Sequence, residues 1–207
     1  VYKRQGPSIG AQILVINGEQ YGSTGNSALD QAVVTDALGL LEHGTNSLVH
    51  LGRDGERRKE DVALFVESFT SPPRMLIFGA IDFAAALARL GSFMGYRVTV
   101  CDARSLFATK ARFPEADDVV VDWPHKYLAK VDVDSRTVIC VLTHDPKFDV
   151  PVLKEALNSG AAYIGVMGSR RTHADRHQRL REQGITEEQL LRLSSPIGLD
   201  LGARTAE

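Results

Sequence analysis

A chain of 207 residues in which 43% of the side chains are hydrophobic suits one large domain, or an ordinary domain with a smaller companion, around a well-filled core. Its net charge of −2 leaves no electrostatic footprint for nucleic acid or an anionic membrane surface, and no apolar run approaches the roughly 20 residues of a membrane span. Nothing at the N-terminus reads as a secretory signal, so the cytoplasm is the expected compartment. The chain opens at Val1 inside what reads as a strand or turn and stops at Glu207 without a closing element, and terminal elements are expected to be missing.

In the first segment the extended runs AQILVI (11–16) and EQYG (19–22) flank Asn17 and Gly18, the pair that most strongly favours a two-residue hairpin turn. A polar, glycine-containing turn (22–27) leads into apolar residues at helical spacing over 28–41. Such a turn either binds an anion through its amides or caps the helix, with Ser27 as the capping residue. A short extended piece (47–51), a charged solvated loop (53–61) and a strand-like run (61–69) follow. TSPP (70–73) then breaks the chain, so the boundary is expected there, between a small N-terminal α+β domain over 1–70 and a second domain over 74–207.

From Arg74 onward apolar runs alternate with helical segments, the pattern of a parallel α/β sheet. Strands are predicted at 74–78, 97–101, 118–121, 137–142 and 162–166, and helices at 82–94, 105–111, 124–130, 149–159, 171–183 and 186–193. The fold class is therefore α/β, a Rossmann-like doubly wound parallel sheet, whose right-handed crossovers bring the loops after the strands to one edge. The first of these units, RMLIFGAID (74–82) running on to Asp102, reads as a dinucleotide-binding βαβ element. Gly79 lets the chain turn out of the strand, with Ala80 and Ile81 in the turn. The helix opening at Asp82 aims its amides at a phosphate. Asp102 can accept hydrogen bonds from a ribose, with Ala103 and Arg104 beside it. Ile81 and Ala84 stand where the second and third glycines of the G-x-G-x-x-G pattern would be, so the fold is more strongly indicated than the ligand.

The fourth run ends in Thr143, His144 and Asp145, a hydroxyl, an imidazole and a carboxylate facing the same edge. His144 and Asp145 are the candidate acid–base pair if there is catalysis, and Asp149 is a candidate cap for the next helix. The fifth run ends in Gly168, Ser169, Arg170 and Arg171, where a close-approach glycine, helix-start amides and guanidiniums suit a phosphate. His173 and His177 lie four apart on the following helix, but the pattern lacks the glutamate of H-E-x-x-H and no metal site is expected. Cys101 and Cys140 sit inside β-branched runs and read as buried, inert thiols. SPIGLDLG (195–202) reads as a fixed loop from which Asp200 can reach the crevice.

Five strings in order, DAR (102–104), RFPEAD (112–117), THDP (143–146) with Asp149, YIGVMGSRR (163–171) and PIGLDLGA (196–203), resemble the XdhC/CoxF-type accessory-factor family of molybdenum hydroxylases, across nearly the whole second domain. The resemblance implies an XdhC/CoxI-like N-terminal domain and a Rossmann-like nucleotide-binding C-terminal domain. It further implies a role in maturing a xanthine or carbon monoxide dehydrogenase type of client by handling its cofactor. The ligand is NAD(P) or the molybdenum cofactor (molybdopterin), the partner is the molybdenum hydroxylase client, and a homodimer is a further option. Two departures stand out. The family's Gly-x-Gly-His is here Gly79-Ala80-Ile81-Asp82, and its cysteine in the first domain corresponds to Ala28, which removes thiol chemistry at that position. A non-catalytic cofactor-binding or chaperone protein is favoured, with an NAD(P)-dependent oxidoreductase and a nucleotide-sensing regulator as rivals.

Overall fold

The computed structural model describes residues 2–3, 10–199 and 202, and the chain divides into two compact units, Val1–Ser71 and Pro72–Glu207. Among the described residues no helix is long and apolar enough to cross a membrane.

The first unit contains β1 (Tyr2–Lys3), β2 (Ile13–Ile16), β3 (Glu19–Gly22), α1 (Ser27–His43), β4 (Ser47–Leu51) and β5 (Val62–Val66). The β2-β3 hairpin turns through Asn17 (φ 51°) and Gly18 (φ 83°), both left-handed as the tight turn requires. β1, β5 and β4 pair antiparallel in that order. The cap of α1 falls one residue earlier than expected: the Asn26 carboxamide oxygen, not Ser27, accepts from the Ala28 and Leu29 amides at 3.0 and 3.3 Å. Leu29 and Val33 of α1 close a core with Ile13, Leu51, Val62 and Leu64.

The second unit runs β6 (Arg74–Phe78), α2 (Asp82–Phe93), β7 (Arg97–Asp102), β8 (Asp118–Val121), α3 (Pro124–Leu128), β9 (Thr137–Val141), α4 (Pro146–Leu157), β10 (Tyr163–Val166), α5 (Arg170–Glu182), α6 (Glu187–Leu190) and β11 (Leu193–Ser194). Its six strands are all parallel, in the order β11-β10-β9-β6-β7-β8. The chain order therefore reverses between β6 and β9, which makes that junction the switch point of a doubly wound sheet. Both faces are covered, which is why the strands read as continuous apolar runs. On one face Leu76, Phe78, Ile139, Val141, Ile164 and Val166 pack under Val152, Leu153, Ala156 and Leu180 of α4 and α5. On the other, Met75, Ile77, Val98 and Val100 pack under the small residues Ala84 and Ala88 of α2.

Three expected elements differ. The stretch 105–111 is a series of turns, not a helix; it is pinned by the Arg112 guanidinium on the Ala80 and Phe107 carbonyls and buries Ala108 and Phe113 directly in the sheet. The helix placed at 149–159 begins at Pro146, whose fixed φ suits the first helical position, under an Asp145 cap. The helix placed at 186–193 stops at Leu190, and Leu193 instead pairs with Ile164 as a sixth strand, so the sheet has one strand more than expected. Asp200 lies outside the described residues.

Candidate functional site

Because every strand of the second unit points the same way, the loops after β6, β7, β9 and β10 share one edge, and they carry the residues singled out from the sequence. Gly79 (φ 109°) is the hinge of the first. A Cβ built there would lie 3.0 Å from the Leu142 carbonyl carbon and from the Thr143 amide nitrogen, so only glycine lets the turn after β6 press against the chain leaving β9. Ile81 follows, half-buried against the apolar layer under α2, in extended conformation with no side-chain cap over the helix start. The Asp82 carboxylate projects into solvent and meets Arg112 at 3.3 Å.

Asp102 is not an open acceptor. Its buried carboxylate takes the Ala80 amide at 2.8 Å on one oxygen and the Arg104 amide at 2.9 Å on the other, and the Arg104 guanidinium clasps both oxygens at 2.7 and 2.9 Å. Burial acts to raise this carboxyl, but the bonds from Arg104 and Ala80 outweigh it, so its pKa lies below the ordinary aspartate value. The clasp ties the loop after β6 to the loop after β7. A ribose reaching Asp102 has to share or displace the guanidinium, which itself lies over the Phe107 ring at 4.5 Å. Ala103 joins the two halves of the clasp.

In the loop after β9, Asp145 caps α4, its carboxylate accepting the Lys147 amide at 3.0 Å and pairing with the Lys147 ammonium at 3.1 Å. The capping role considered for Asp149 therefore belongs to Asp145. Asp149 instead points inward: Thr143 Oγ1 donates to it and Arg176 Nη2 meets it at 3.0 Å, with the two charged side chains only 5% and 3% exposed. Burial holds the Asp149 carboxyl above its ordinary pKa in spite of the opposing pull of Thr143 and Arg176. The same guanidinium donates to the Met167 carbonyl at 2.9 Å and to Ser195 Oγ at 3.4 Å, stitching the first turn of α4 to the loops after β10 and β11. His144 stays exposed at the mouth of a hollow of about 100 Å³ bordered by Asp149, Thr172 and Arg176.

In the loop after β10, Ser169 caps α5 by accepting the Thr172 amide at 3.2 Å, and Gly168 (φ 149°) packs against Thr172. Arg170 and Arg171 are both exposed. The arginine that organises this region, Arg176, belongs to none of the sequence motifs, and its one signal is its place four residues before Leu180, on the face of α5 that is buried. His173 and His177 stack with ring centroids 3.9 Å apart, and burial first, then neighbouring positive charge, lowers both pKa values. Cys101 and Cys140 are free and buried, their thiols pushed up to about 12 by burial. They lie in different strands with β6 between them and belong to opposite faces of the sheet, so they are inert as a pair. Beside α2, Phe83, Leu87, Leu90 and Phe93 border an apolar groove of about 680 Å³ that reaches Leu142 and Met167 at the strand ends.

Comparison with known proteins adds sequence kinship to this geometry. Residues 75–207 match the family model described as the XdhC Rossmann domain. Among curated proteins, one named as a probable subunit of xanthine dehydrogenase in Bacillus subtilis (strain 168) is 28% identical over 70% of this chain and 42% of its own length. The molybdenum cofactor insertion chaperone PaoD of Escherichia coli (strain K12) is 30% identical over 69% of this chain and 38% of its own. The chain thus spans about two fifths of the length of these relatives. A crystal structure of a xanthine dehydrogenase from Bacillus halodurans superposes on 90% of this chain and 62% of that one, with a TM-score of 0.58 at 21% identity, a likeness of fold.

Proposed function

The chain belongs to the XdhC Rossmann domain family, and from that premise we propose that it acts as an accessory factor in the maturation of a molybdenum hydroxylase of the xanthine or carbon monoxide dehydrogenase type. On this reading it holds a phosphate-bearing cofactor, a dinucleotide or molybdopterin, in the crevice at the carboxyl edge of its sheet, and its partner is the client enzyme. The observation that carries the reading is the switch point. There Gly79 brings backbone against backbone between β6 and β9, while the exposed or half-exposed guanidiniums of Arg104, Arg170 and Arg171 stand on the loops around it. Exposed guanidiniums at Arg170 and Arg171, with the outer side of Arg104 beside them on a neighbouring loop, suit holding an anionic ligand. Asp145 is engaged as a helix cap, which takes it away from the acid–base role considered for it. The names of the relatives, a cofactor insertion chaperone and a xanthine dehydrogenase subunit, agree with the same reading.

The test is a deletion strain. The client hydroxylase should accumulate to normal amounts with depressed specific activity and depressed content of its pterin cofactor, because the defect lies after synthesis. Normal activity and cofactor content in that strain would remove the accessory role. Hydride transfer from reduced nicotinamide by the purified protein would replace it with an oxidoreductase.

A further inference from the structure

The chain has a single tryptophan, Trp123, and it is 42% exposed although the core is well filled. Trp123 comes two residues after Val121, which is in register with Asp102, so its ring stands on the carboxyl edge one strand outward from the Asp102–Arg104 clasp. Cys101 Sγ lies 3.5 Å from the Asp122 carbonyl, which fixes this loop to β7. Phe148, from the first turn of α4, meets the indole at 5.2 Å between centroids with the planes tilted by 47°. His125 meets it edge-on at 6.0 Å, and the Nδ1 of that ring is buried without a hydrogen-bond partner among the described residues. Lys147 lies over the Phe148 ring at 4.8 Å and is held there by Asp145, whose negative charge extends to Arg104. The loops after β8 and β9 thus bring an exposed indole, the Phe148 ring and the Lys147 ammonium together, with Arg104 on the loop after the neighbouring strand β7.

We infer that Trp123 and Phe148 form a stacking platform for the flat nitrogen heterocycle of a phosphate-bearing ligand, adenine or pterin, while Lys147 and Arg104 face its anionic part. This inference rests on the cofactor-holding reading above and adds the ring-binding end of the site. Both heterocycles offer a π-face to stack and a polar edge for hydrogen bonding, and aromatic stacking is tolerant of which ring is presented.

Since Trp123 is the only indole, its emission reports on the platform directly. Titration of the full chain with AMP, NAD and pterin-6-carboxylate, followed by tryptophan fluorescence and in parallel by calorimetry, should show quenching by the preferred ring. AMP and NAD acting without the pterin identifies adenine, and the reverse identifies pterin. Trp123→Leu and Phe148→Leu should each weaken binding of that compound by about 5- to 100-fold, with circular dichroism unchanged, and Phe148→Leu keeps the tryptophan signal for the comparison. Binding by calorimetry with unmoved Trp123 emission and both variants binding like the parent overturns the platform and leaves the crevice reading standing. No binding of any of the three compounds overturns both.

Discussion

Arg176→Met is the sharpest test of how the carboxyl edge is held together. The guanidinium is 3% exposed and donates to Asp149, to the Met167 carbonyl and to Ser195, and among the described residues its loss leaves the buried Asp149 carboxylate with the Thr143 hydroxyl alone to bond it. Breaking a buried pair from one side costs about 3–5 kcal/mol. For a unit of this size that corresponds to a fall of roughly 10–17 °C in melting temperature. Trp123 lies in the second unit, so its emission during urea unfolding reads that unit alone. The Asp149→Asn, Arg176→Met double variant removes both charges and should recover a good part of the loss. The pH dependence has a defined sign. Burial already raises the Asp149 pKa, so the folded state holds the proton more tightly than the unfolded chain and stability falls as pH rises between the two pKa values. Without the guanidinium that window widens upward, and the deficit of Arg176→Met should shrink as pH is lowered. A loss under about 1 kcal/mol, or a double variant no better than the single one, would refute the reasoning.

Asp102→Asn should release the clasp between the loops after β6 and β7. Because the parent carboxyl is held low by Arg104 and Ala80 against burial, its contribution is present above the unfolded pKa of about 3.9 and disappears as pH falls through the folded value; acid titrations of parent and variant should therefore converge at low pH and separate above it. Ile81→Gly should raise affinity for NAD(P) by removing a branched side chain from the turn where a pyrophosphate would approach, and calorimetry showing no gain would place the ligand elsewhere. Changing Arg170 and Arg171 together to alanine should shift stability by less than about 0.5 kcal/mol, as both are exposed, while sharply reducing retention of a phosphate-bearing ligand. Equilibrium unfolding and ligand titration on the same preparation check both halves of that expectation.

The sheet was legible because its determinants are local and repeated. Met75 and Ile77 feed one face while Leu76 and Phe78 feed the other, and Asn17-Gly18 admits essentially one hairpin turn. The differences arise where tertiary contacts decide. Residues 105–111 have acceptable helix formers, yet Arg112 reaches back 32 residues to the Ala80 carbonyl and Phe113 is required in the core, so the segment folds as turns. Leu193 belongs to a strand because Ile164 is there to pair with it, a fact with no local trace. Strand pairing and long-range side-chain anchoring override intrinsic propensity in both places.

The site was legible as positions and much less so as roles. The motif logic puts Asp102 at the end of the second strand as a ribose acceptor, but that assignment presumes a free carboxylate, and an arginine two residues on changes its meaning. Arg104 converts Asp102 into an internal fastener and becomes the exposed group itself, so what the crevice offers an incoming ligand at this strand is a cation. The same inversion occurs across the switch point. The conspicuous carboxylate of the loop after β9, Asp145, is spent on a helix cap and on Lys147, whose ammonium remains exposed, while Asp149 is neutralised internally by Arg176. Asp102, Asp145 and Asp149 are thus each paired with a basic neighbour, and Arg170 and Arg171 stand exposed at the start of α5 as the cations the proposed anionic ligand would meet, a division of roles that no single motif in the chain encodes.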